Sequence, residues 1–143
     1  MRWLAAALAV QALVALGGCN RAPPDSTAQG AVRLFLDDME AASEDPRAMK
    51  KAYGLLGPKA RANLADRAHR TSLLQGRQVE PWEMLAAAHF GLHFRPRPIP
   101  PPTVVGDRAT VEITGEDPAT ERASVVCVHE AGGWRVEPGL PEP

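Results

Sequence analysis

The chain has 143 residues, 45% hydrophobic and 23% charged, which is material for one small domain with a core but not for two. Its 16 Lys and Arg stand against 17 Asp and Glu with no long run of one sign, which argues against a general nucleic-acid-binding surface and against an acidic solvating tail. The 14 prolines and 12 glycines gather near segment boundaries and in one tract, so the composition is neither collagen-like nor that of a wholly disordered chain.

Residues 1–18, MRWLAAALAVQALVALGG, carry one Arg and then an apolar stretch from Trp3 to Leu16, too short for a comfortable membrane span and laid out like a signal peptide. Leu16-Gly17-Gly18-Cys19 resembles the bacterial lipobox, in which the cysteine becomes the lipidated N-terminus of the mature protein. A plain secretory signal with an incidental cysteine is the simpler alternative. Two or three acyl chains on Cys19 would hold the protein on its membrane permanently. By the sorting rule of enteric bacteria, Asn20 after the cysteine favours the outer membrane, facing the periplasm. Lipidation would leave Cys127 without a disulfide partner, and an unpaired thiol in an oxidising compartment is expected to be buried.

Residues 19–26 read as a lipidated, proline-bearing tether and residues 27–143 as a single domain. Ser26 with Gln29 fits a capping box, and Val32, Phe35, Leu36 and Met39 recur at helical spacing, predicting a helix from Thr27 to Ser43. Asp45-Pro46 opens a second helix with Met49, Ala52, Tyr53 and Leu56 on its apolar stripe, and Gly57-Pro58 ends it. Pro58 opens a third helix carrying Ala60, Leu64 and Ala68, followed by a weaker segment closed by Gly76, and Pro81–Ala88 reads as a short fourth helix. Phe90, Leu92 and Phe94 then alternate as in a strand. RPRPIPPP, residues 95–102, is an extended polyproline connector, since proline lacks the ladder donor.

The last third reads as β: Thr103–Val105, a Gly106-Asp107 turn, Ala109–Thr114 with Val111 and Ile113 on one face, Ser124–Glu130, and Trp134–Glu137 after an Ala131-Gly132-Gly133 hairpin. Helices first and an antiparallel sheet after make an α+β arrangement.

Three segments, AVRLFLDDMEA, MKKAYGLLGPKAR and ASVVCVHEAGGWRVEPG, together resemble small bacterial lipoproteins with a nuclear transport factor 2-like, or cystatin-like, domain. The resemblance implies a curved sheet wrapping the first helix into a cone with an internal pocket, Trp134 packed inward and Arg135 pointing out. The proline tract departs from the pattern at the place of the usual first strand. Enzymes of that superfamily use an acidic or histidine base with an oxyanion-binding tyrosine or acid, but no position here matches those sites. Asp37, Asp38 and His129 are the available bases, and Tyr53, a candidate pocket residue with Trp134, is more simply a core residue.

His89 and His93 are four apart, a zinc-ligand spacing, but lack a metalloprotease glutamate and fall on the alternating segment. Cys127 and His129 share one strand face, with nothing to mark an activated thiolate. The proline tract also resembles ligands of proline-recognition domains. No motif calls for a cofactor or a metal. The expectation is a lipid-anchored envelope protein that binds a small apolar ligand or a protein partner without catalysis, with an isomerase- or dehydratase-type pocket enzyme and a sheet-face assembly accessory, self-associating as a homodimer, as alternatives.

Overall fold

The computed structural model describes residues 22–85, 92 and 94–140. Three helices, α1 (Ala28–Ala41), α2 (Pro46–Gly54) and α3 (Pro58–Gln75), precede four strands, β1 (Thr103–Val105), β2 (Arg108–Thr114), β3 (Arg122–Glu130) and β4 (Gly133–Glu137). The architecture is α+β, with an open antiparallel sheet in the order β1-β2-β3-β4. No helix among the described residues is long and apolar enough to cross a membrane.

Local chemistry explains each helix boundary. The Thr27 hydroxyl, not Ser26, caps α1 by accepting from the Gly30 N–H at 3.0 Å. The expected capping box does not form, because the Gln29 amide reaches instead to the Ile99 carbonyl, across 70 residues of chain. Asp45 caps α2 by accepting from the Arg47 N–H at 3.0 Å, with Pro46 preset at the first helical position. The Arg47 guanidinium also donates to that carboxylate, and both bonds hold it below the usual carboxylate range. From Pro58, α3 runs unbroken to Gln75, so the segment read as weaker belongs to it; Gly76 closes it at φ +64°, a region open to glycine without steric cost.

The core lies between α1 and one face of the sheet. Ala28, Ala31, Val32 and Phe35 pack against Ala109, Val111 and Ile113 of β2, Cys127 of β3 and Val136 of β4, all buried. The register makes this one face, since Ala109 pairs Cys127 and Cys127 pairs Val136. The free edge of β4 is covered by the α2–α3 link: the Gly57 N–H donates to the Val136 carbonyl and the Val136 N–H to that of Leu55, each at 2.8 Å.

Further expectations change. The fourth helix is a single 3-10 turn, Pro81–Met84, after which Leu85 turns extended; residues 86–88 lie outside the described residues. Leu92 and Phe94 belong to no strand, and Phe90, His89 and His93 also lie outside the described residues. Arg135 does not point into solvent: its side chain is 16% exposed and is ion-paired with Asp25 at 2.6 Å. Asp25 belongs to a 3-10 turn, Pro24–Ser26, that precedes α1, so ordered structure reaches back into the segment read as tether.

Candidate functional site

An open groove of about 780 Å³ lies between α1 and the proline tract. Its first wall follows from the helical repeat. The apolar stripe of α1 is wider than the core requires, so Val32 and Phe35 are buried while Leu36 and Met39, rotated towards its flank, are only half covered. Arg33, Asp37 and Glu40 rim this wall and are exposed.

The second wall is the extended run Phe94–Ile99, with Leu92 beside it. Its prolines have no N–H to give, and the one bond it makes to β2 comes from Arg97, whose N–H donates to the Thr114 carbonyl at 2.8 Å. At its far end Ile99 is buried in the core and its carbonyl accepts from the Gln29 amide of α1. The tract is therefore tied to both neighbours, with Phe94 half covered and Arg95 and Arg97 exposed at the groove.

The electrostatics are mixed: Arg95 and Arg97 lie on the proline-tract wall, and Arg33, Asp37 and Glu40 lie on the α1 wall. Asp38, next along α1, has its carboxyl raised above the usual range by partial burial, with Lys51 opposing the shift and Asp37 adding to it. It does not line the groove.

The residues singled out in the sequence fall elsewhere. Tyr53 in α2 and Trp134 in β4 are half-buried against the core, and neither lines this groove or the two smaller hollows near it and near α3. Trp134 lies edge-on to its cross-strand partner His129, ring centres 5.1 Å apart, and His129 is exposed. Cys127 is fully buried with its sulfur 4.0 Å from the Ala28 carbonyl, and burial pushes its thiol up to about 12, the opposite of what a thiolate nucleophile needs. No group of three or more His, Cys, Asp or Glu among the described residues is placed to hold a metal ion. His89 and His93 are outside the described residues.

Sequence reading missed the groove because Leu36 and Met39 scan as core and the proline tract as a connector. The available signal was the excess width of the α1 stripe together with two arginines alternating with prolines in RPRPI. Compared with known protein families, curated proteins and solved structures, the chain has no match.

Proposed function

We propose that this chain is a lipoprotein of the bacterial cell envelope, held on the outer membrane through Cys19 and facing the periplasm, and that it binds a small, largely apolar molecule in the groove between α1 and the proline tract. The groove carries the reading: it has the size of a small-molecule site, an apolar floor and a few charged groups at its rim. The lipobox-like Leu16-Gly17-Gly18-Cys19 supports the location. The absence of a matching catalytic pattern in the sequence and the deep burial of Cys127 favour binding over catalysis. A long first helix packed on an antiparallel sheet is also what a nuclear transport factor 2-like cone would have, and that finer fold is part of the proposal.

A protein partner added along the sheet edge is the second reading, favoured by Val105, 74% exposed on the terminal strand β1. The two readings separate in native mass spectrometry of the full chain, gently extracted from the envelope of a Gram-negative host. A retained small mass that disappears in Met39→Trp supports the groove, whereas a bare dimer supports the edge. For the anchor, metabolic labelling with an alkyne-bearing fatty acid should mark the wild type and not Cys19→Ala; label retained by that variant refutes lipidation at Cys19.

A further inference from the structure

We infer that the groove recognises a single-chain anionic amphiphile, its acyl chain lying along Leu36, Met39 and Phe94 and its carboxylate or phosphate held by Arg33, Arg95 and Arg97. This deepens the ligand-binding reading above and rests on it. The arginines carry the argument. Arg47, Arg61, Arg70, Arg77 and Arg135 are each tied to a carboxylate, whereas Arg33, Arg95 and Arg97, like Arg108 and Arg122 elsewhere, make no ion pair with any described residue, and these three alone of the five line one apolar hollow.

Asp37 and Glu40 line the same groove, so it holds three guanidiniums and two carboxylates and the balance is cationic. Asp37 sits one turn after Arg33 on α1, at a spacing where a pair can form, yet no pair within 4.0 Å does, which leaves that fork of donors open to an incoming anion. A guanidinium suits this role better than an ammonium, because its planar donors match carboxylate and phosphate oxygens two at a time. Apolar floor and cationic rim together select a ligand that has both parts. The volume falls inside the range of about 300–1,000 Å³ typical of sites for one small molecule.

The position of the groove fits a ligand drawn from a membrane. A smaller hollow lined by Ala22, Pro23 and Pro24 shares Arg33 and Asp37 with it. Ala22 follows Cys19 by three residues, at most about 11 Å of extended chain. If Cys19 is lipidated, the Arg33 end of the groove lies within reach of the headgroup layer, where anionic amphiphiles concentrate.

The test uses the full chain, made in a Gram-negative host and reconstituted in phosphatidylcholine nanodiscs, with a photoreactive, alkyne-bearing palmitic acid as probe. The expected result is labelling that maps to α1 or to residues 94–99. Palmitate and lysophosphatidic acid should compete with the probe, and hexadecanol, with the same chain and no charge, about tenfold less well. Arg95→Gln with Arg97→Gln should weaken probe binding by about tenfold or more while leaving Tm unchanged, since neither side chain is tied to the fold. Competition by hexadecanol equal to that of palmitate overturns the anionic assignment and leaves the groove as an apolar site. A probe that labels nothing, or labels only outside the groove, overturns the groove reading itself.

Discussion

Cys127 illustrates how one residue type changes meaning with its surroundings. It sits mid-strand in β3, paired with Ala109 on one side and Val136 on the other, and under the first turn of α1. There its thiol behaves as a small apolar group. We expect a thiol reagent at pH 8 to leave Cys127 of the folded protein unmodified and to modify it on unfolding; rapid labelling under native conditions would contradict the packing. The same burial predicts a pH dependence at the alkaline end. The unfolded thiol ionises near 9 and the folded one only near 12, so between those values the unfolded chain has lost a proton that the native state keeps. Stability contributed by this group is therefore full below about pH 9 and falls as pH rises towards 12, and Cys127→Ala should flatten that fall in urea titrations taken across the interval.

Helix α3 begins without a capping side chain of its own, because its N-cap is Gly57. The need is met from the other end of the chain: the Glu137 carboxylate, at the close of β4, accepts from the Lys59 and Ala60 N–H groups, each at 3.0 Å. Gly57 is small for the same reason, since a Cβ there would run into the Glu137 side chain. Arg61, one turn into the helix, reinforces the junction by pairing with Glu130 at 3.1 Å. Loss of a capping group costs about 0.5–2 kcal/mol, so Glu137→Ala should lower the urea midpoint by that equivalent, with Glu137→Gln intermediate because it keeps an acceptor but not the charge. An unchanged midpoint in Glu137→Ala would show that water satisfies those donors equally well.

At the scale of the whole molecule, the N-terminal 3-10 turn is fastened to the last strand by Asp25 and Arg135, both less than one-fifth exposed, with Glu130 as a second carboxylate at 3.8 Å. The contact closes the fold by joining the segment before α1 to β4. Removing one partner of a largely covered charged bond costs about 1–3 kcal/mol, softened here because Arg135 retains Glu130. Asp25→Ala should therefore destabilise by about that amount, and hydrogen exchange should show the loss of protection at residues 24–31 and β4 while the β2–β3 ladder is spared. Uniform loss across the sheet would mean that this contact governs the whole fold rather than its seam.

Much of this architecture was legible from residue order, because its causes are local. Asp45-Pro46 and Pro58 start helices whatever lies around them, Gly76 ends one, and the alternation of Ala109, Val111 and Ile113 determines which face of a strand is buried. What went unread depends on partners far along the chain. Ser26 and Thr27 are equivalent caps until Gln29 is drawn to Ile99, and Arg135 reads as a surface charge until the turn carrying Asp25 folds over it. Pro81–Ala88 scans as helix, yet in the fold Leu85 leaves the turn and is buried in the core. The groove is the extreme case. Leu36 and Met39 have the spacing of core residues, and only the placing of the proline tract, tied to α1 at Ile99 and to β2 at Arg97, decides that they line a hollow instead. Periodicity and caps are properties of short segments and can be read one segment at a time, whereas a cavity is the space left between segments and exists only once they are packed.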